Sequence, residues 1–149
     1  MLIRRDRAMV AVTIVLDVAF HAGRSNTVSA ADLADRLGMA RRGMEPLLQA
    51  LSRAGLLESV RGPRGGYRLG RPRRDIRIAD IVEIATADEE TSRDAPAGHL
   101  QSGVVEPLWS DLEATARAQL GKLTLEDLLA RATAAGLRRP TAEPITFAI

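Results

Sequence analysis

Between Arg7 and Ala22 the apolar residues cover more than one face of a helical wheel: Met9, Val10, Val12, Ile14, Val15, Leu16, Val18 and Phe20. A helix apolar nearly all round is buried on several sides, so the pattern predicts neighbouring helices on both flanks. After a turn over residues 23–27, Ser29 and Asp32 form a capping-box-like pair. Leu33, Ala34 and Leu37 then make an apolar stripe, and Gly38 supplies a helix stop. The short turn Gly38-Met39-Ala40 leads into a third helix reaching Ala54. There Met44, Leu47, Leu48 and Leu51 fall at i, i+3, i+4 and i+7, while Arg42, Glu45, Gln49 and Arg53 take the other face. Two helices joined by so short a glycine turn predict a helix-turn-helix. Pro46 has no N–H for the Arg42 carbonyl. Either the helix begins near Arg42 or Gly43, with Pro46 in the permitted first turn, or it bends there.

The spacing changes after Gly55. Leu56–Val60 and Tyr67–Leu69 are short apolar runs around Gly62, Pro63, Gly65 and Gly66, which predicts a β-hairpin with a loop longer than two residues. Arg61 and Arg64 lie at its tip and Arg68 just beyond. A ribbon tipped with guanidinium groups suits a narrow, negatively charged groove, so the hairpin is read as the wing of a winged helix-turn-helix. Residues 71–77 form a basic connector, Arg-Pro-Arg-Arg-Asp-Ile-Arg. Helical spacing returns at Ile78–Thr86 and again over Val104–Gly121, with Val105, Leu108, Trp109, Leu112, Ala116 and Leu120 on one side. Thr124 and Asp127 cap a last helix over Leu125–Ala135. The expected fold is mainly α with a small β-hairpin. Residues 1–86 form the winged helix-turn-helix domain, 87–101 a mobile acidic loop, 102–136 a long helix and a C-terminal helix, and 137–149 an apolar-ended tail.

Charge divides the chain in the same sense. Residues 1–74 hold 14 arginines against 6 acids, and residues 75–149 hold 7 basic residues against 13 acids. A basic half joined to an acidic half predicts that the first meets a polyanion and the second does something else. With no cysteine in 149 residues, disulfides, thiolate zinc sites and Cys-ligated iron–sulfur clusters are excluded together. The basic start (Arg4, Arg5, Arg7) before an apolar stretch imitates a leader. Asp17 interrupts it, and Phe20 and His21 spoil the small-residue cleavage pattern, so a buried first helix is expected in a cytoplasmic protein without membrane association.

Several runs together resemble one family: Ala34-Asp35-Arg36-Leu37-Gly38, Leu51-Ser52-Arg53-Ala54-Gly55-Leu56-Leu57, Ile78-Ala79-Asp80-Ile81-Val82, Leu108-Trp109-Ser110-Asp111-Leu112 and, most specific, Val60–Tyr67. The chain resembles the Rrf-type bacterial winged-helix regulators, the group of IscR, NsrR and CymR, over about residues 3–130. The resemblance implies a homodimeric DNA-binding transcription regulator, more often repressor than activator, on a quasi-palindromic duplex. By position, Arg41, Arg42 and Glu45 would face bases or phosphates from the recognition helix. Arg61, Arg64, Gly65, Gly66 and Tyr67 would form a wing in the minor groove, and Arg7 would meet the backbone. The long helix would cross its partner copy through Val105, Leu108, Trp109, Leu112 and Ala116. Cluster-binding members place three cysteines before that helix. Here the corresponding stretch carries Asp88, Glu89, Glu90, Asp94 and His99, with Glu106 nearby, so neither a cluster nor any other cofactor or metal is expected. Pro46 stands where many members carry glutamine, so operator preference does not transfer.

Other readings compete at each motif. The glycine loop lacks the Gly-Lys-Ser/Thr ending of a phosphate loop, leaving a DNA-contacting wing or an ordinary turn with solvated arginines. Glu45 either accepts from cytosine or pairs with Arg41 or Arg42 along its own helix. His21 is expected to interact with its helix C-terminus, and His99 to be plain loop. No nucleophile with a partnered base and no dinucleotide fingerprint argues for an enzyme. A winged-helix module that binds proteins and has lost DNA affinity is the alternative function. The signal is open between a small-molecule effector held between the domains, a protein, and none.

Overall fold

The computed structural model describes residues 7–23, 26–87 and 96–138. Six helices and one hairpin follow in order: α1 (Arg7–Ala22), α2 (Ala30–Leu37), α3 (Arg41–Arg53), β1 (Leu57–Val60), β2 (Gly66–Leu69), α4 (Ile78–Thr86), α5 (Glu106–Gly121) and α6 (Leu125–Ala134). A 3₁₀ turn, Arg73–Asp75, sits in the basic connector, and a π-helical stretch, Gln101–Val105, precedes α5. The mainly helical class and the antiparallel hairpin agree with the sequence pattern.

One apolar cluster joins these elements. Ile14, Val15 and Val18 of α1, Leu33 of α2, Met44, Leu48 and Leu51 of α3, Ile81 of α4 and Leu125 of α6 are all essentially inaccessible to solvent. The α1 helix packs against α2, β2, α4 and α6, as its multi-faced apolar pattern requires. Met9 is the exception at 55% exposed. Leu125 and Leu129 seat α6 on this same core, whereas α5 contributes no buried residue.

The caps explain the helix bounds. Ser29 Oγ accepts the Asp32 N–H at 3.0 Å, one arm of the expected box, and Gly38 ends α2 at φ 64°. At α6 both arms are present: Thr124 Oγ1 accepts from the Asp127 N–H at 3.2 Å and Asp127 Oδ2 from the Thr124 N–H at 2.9 Å. The Thr124 backbone N–H first, and the Thr124 hydroxyl after it, hold the Asp127 carboxyl below the ordinary carboxylate range. A depressed folded-state pKa stabilises at pH above the unfolded value of about 4 and loses its effect as pH falls through the folded value. Asp127→Asn should therefore unfold at lower urea than the parent at neutral pH, with the gap closing near pH 2. A gap of equal size at both pH values would remove the carboxylate from the cap.

Four expectations need correction. The α3 helix starts at Arg41 with Ala40 as its N-cap, so Pro46 lies beyond the first turn and leaves the Arg42 carbonyl without its helical donor. Helical structure resumes at His99, ahead of Val104, and absorbs the end of the expected loop. Its start is fastened where Ser102 donates twice to the Gly98 carbonyl, from its N–H at 3.0 Å and its hydroxyl at 3.2 Å. His21 does not cap its helix: Nδ1 is buried without a hydrogen-bond partner, and burial holds the imidazole below its ordinary pKa. The last helix ends at Ala134, one residue early. Asp88, Glu89, Glu90 and Asp94 and the tail from residue 139 lie outside the described residues.

Candidate nucleic-acid interface

The candidate surface is built on α3. Its stripe of Met44, Leu47, Leu48 and Leu51 is buried, and this fixes the opposite face outward. Arg41, Arg42, Glu45, Gln49 and Arg53 are all exposed on it. Their side chains make no hydrogen bond or ion pair with the described residues. Glu45 therefore does not orient a neighbouring guanidinium; its carboxylate is available as an acceptor. Arg7, half-buried at the start of α1, shares a notch of about 250 Å³ with Met39, Gly43 and Pro46, which brings it to the flank of the same helix.

The hairpin stands beside this face. Register pairs Glu58 with Arg68, Ser59 with Tyr67 and Val60 with Gly66, leaving residues 61–65 as the tip. Gly65 N–H donates to the Gly62 carbonyl at 2.8 Å and closes the turn. A side chain at Gly65 would place its Cβ 2.5 Å from the Val60 carbonyl oxygen, so the tip has room for glycine alone. Arg61 and Arg64 are exposed there. The wing is anchored where Val28 and Tyr67 exchange two backbone hydrogen bonds of 2.8 Å, and where Thr27 Oγ1 donates to the Arg64 carbonyl at 2.7 Å. Arg68 is occupied differently: Nε and Nη2 donate to the two Glu58 carboxylate oxygens at 3.0 and 3.1 Å. That fork holds the Glu58 carboxyl below its ordinary range.

Gln49, Ser52 and Arg53 of α3 meet Ser59 and Tyr67 of the hairpin across a notch of about 320 Å³. Ser52 Oγ is buried without a partner beside it. Hydroxyl, amide and guanidinium donors at the junction of a helix and a wing are the groups that hold a phosphate. Period alone could not select Ser52 and Ser59, because their meeting depends on how the hairpin folds back.

Comparison with known proteins decides the family. The Rrf2 family, described as iron-dependent transcriptional regulators, matches residues 5–131. The chain belongs to the Rrf2 family. Among relatives, the HTH-type transcriptional regulator IscR of Vibrio campbellii is 36% identical over 122 residues, which is 80% of this chain and 72% of that protein. IscR of Vibrio cholerae is also 36% identical, over 80% and 70% of the two chains. Among solved structures, T. potens IscR superposes with a TM-score of 0.70 at 31% identity, covering 89% of each chain. CymR, the global cysteine regulator of B. subtilis, gives 0.67 at 26% identity over 88% of this chain and 98% of that one.

As an Rrf2 protein the chain is a winged helix-turn-helix transcription regulator. The iron in the family's description does not fit a cluster here, because a chain without cysteine offers no thiolate to ligate one. Among the described residues no three His, Asp or Glu side chains converge as a metal site would need, and no helix is long and apolar enough to cross a membrane.

Proposed function

We propose that this Rrf2 protein is a homodimeric, sequence-specific repressor of transcription in the cytoplasm, acting without an iron–sulfur cluster. The observation that carries the reading is the alignment of unpaired Arg41, Arg42 and Glu45 on α3 with Arg61 and Arg64 on an anchored wing tip. The α3 face enters a major groove, where Arg41 and Arg42 meet guanine edges or phosphates and Glu45 accepts from cytosine. The wing reaches the adjacent minor groove with Arg61 and Arg64, and Arg7 holds the backbone beside α1.

The second copy is supplied by α5. Its exposed side carries Leu108 (52% exposed), Trp109 (44%) and Leu112 (41%), continued N-terminally by Val104 and Val105. Ala116 extends the same row at half-exposure. A stripe of that length is too apolar to face water, and an isologous crossing of two α5 helices covers both copies at once. The two wings and reading helices then address half-sites of a quasi-palindrome.

Selection of bound genomic fragments followed by fluorescence anisotropy tests the reading. Affinity for a selected fragment should fall with salt at a slope of about −0.9 per phosphate neutralised. Arg61→Ala and Arg64→Ala should each weaken binding by roughly 1–3 kcal/mol and flatten that slope, with the thermal unfolding midpoint unchanged. Unchanged affinity in both variants would take the wing out of the interface. Salt-independent binding, or none at low ionic strength, would favour a protein-binding module instead.

A further inference from the structure

The basic connector over residues 71–77 has no part in the candidate surface. It forms one wall of a cleft of about 670 Å³ at the base of the wing, within the range of small-molecule sites. Arg68 enters from β2, and Arg71, Arg73 and Arg74 enter from the connector. Leu69 and Gly70 also line the cleft, and Glu126 at the start of α6 is the one carboxylate in its lining. We propose that this cleft binds a compact multivalent oxyanion, bearing phosphate or several carboxylates.

The state of the four guanidinium groups supports this. Arg68 is held by Glu58 across the hairpin. Arg71 donates through Nη2 to the Ala54 carbonyl at 3.2 Å, a neutral acceptor that leaves its charge uncompensated. Arg73 Nε stands 3.6 Å from Glu126 Oε1, outside hydrogen-bond distance. Arg74 is exposed and makes no hydrogen bond or ion pair with the described residues. Four like charges therefore share one concavity with a single carboxylate, Glu126; with Glu58 outside the lining compensating Arg68, two positive charges remain over. A planar fork that already has part of its hydration replaced by protein contacts suits an oxyanion with two or more acceptor oxygens.

The cleft lies at the other end of the hairpin from Arg61 and Arg64. Four-residue strands put roughly 13 Å between the base of the hairpin and its tip. Its position gives the anion a second consequence. On one side it touches the wing through Arg68 and Gly70. On the other, the connector is bonded to the α5–α6 turn: Arg77 Nη1 donates to the Gly121 carbonyl at 2.6 Å, the Ile78 N–H to the Leu123 carbonyl at 3.0 Å and the Leu125 N–H to the Ile76 carbonyl at 2.9 Å. An anion gripping both sides fixes the wing relative to the helix proposed to hold the partner copy. Any change in operator affinity rests on the function proposed above; anion binding itself does not.

Calorimetric titration of the full chain with inorganic pyrophosphate and, separately, with citrate at constant ionic strength is the test, in the absence of DNA. One saturable site per chain is expected, weakened at least tenfold by Arg74→Ala and by Arg73→Ala and unaffected by Arg61→Ala. Preference between the two probes assigns phosphate or carboxylate chemistry. No saturable heat with either probe, or equal heats from the parent and Arg74→Ala, would overturn the site. So would an Arg74→Ala variant that binds the anions normally but loses about one unit of the DNA salt slope, because the arginine would then belong to the duplex interface. Loss of DNA binding with intact pyrophosphate binding would instead count against the regulator reading alone.

Discussion

Replacing Leu108 and Leu112 together by aspartate is expected to leave a monomer that has lost its grip on a selected DNA fragment. Both residues lie on the outer side of a helix with no fully buried residue, at 52% and 41% exposed, away from Leu120, which packs against the core. Their loss should not unfold the protomer, and circular dichroism should be unchanged. In an isologous pair each change counts twice. Losing the burial of four leucines at about 1.5 kcal/mol each removes roughly 6 kcal/mol, and four carboxylates facing apolar surface add more against association. That is more than four decades in dimer affinity at about 1.4 kcal/mol per decade. Sedimentation at micromolar concentration reads the oligomeric state directly. The DNA readout follows, because one half-site binds without the gain from tethering two. A dimer that survives both substitutions would place the contact elsewhere on the molecule.

The same helix shows which parts of the fold were legible in the sequence. Spacing identified α5 as a helix and put Leu108, Trp109 and Leu112 on one side. Spacing cannot distinguish an apolar side that faces its own core from one that faces away from it; solvent exposure makes that distinction. For α3 the case was simpler. Its stripe and its charged face are separated by period alone, and all four stripe residues are buried. The hairpin was legible because glycine and proline punctuate it chemically. Its anchoring was not, since the third strand is a single residue, Val28, opposite Tyr67, and one residue leaves no alternation to read. The Arg68–Glu58 fork was hidden for a related reason: the nine residues between them reveal nothing until the register is known. At Gln101–Val105 the Ser-Gly pair reads locally as a breaker, yet the backbone continues as a π-helix into α5.

For the candidate site, the exposed positions of Arg41, Arg42, Glu45, Arg61 and Arg64 follow from patterns a reader can count. Tyr67 behaves otherwise. Its ring is half-buried against the core and lines the notch between α3 and the wing, and its backbone holds Val28. Its role in the candidate surface is thus as much to position the wing as to touch a ligand. Gly65 and Gly66 contribute through the space they leave empty.

Gly66→Ala puts that emptiness to the test. A Cβ there would stand 2.4 Å from the Val28 carbonyl oxygen, 2.7 Å from the Val28 carbonyl carbon and 3.0 Å from the Ser29 nitrogen, all backbone atoms with no side-chain freedom to yield. The Val28 strand must move, and the two 2.8 Å hydrogen bonds with Tyr67 lengthen with it. Val28 is only 3% exposed, so its displacement also opens the core beside β2. Ser29, the N-cap of α2, shifts at the same time. Overpacking of this kind costs about 1–3 kcal/mol, and the lost backbone pairs add to it. The expected result is a lower unfolding midpoint together with weakened DNA binding, although no charge has been removed. Gly43→Ala supplies the opposite sign. Its added carbon meets nothing nearer than Met39 Cε at 3.9 Å within a regular helix, so it should raise stability by roughly 0.5–1 kcal/mol. If urea unfolding gave Gly66→Ala the same gain as Gly43→Ala, the wing would not be pressed against Val28. The positions of Arg61 and Arg64 would then be set by the hairpin turn alone.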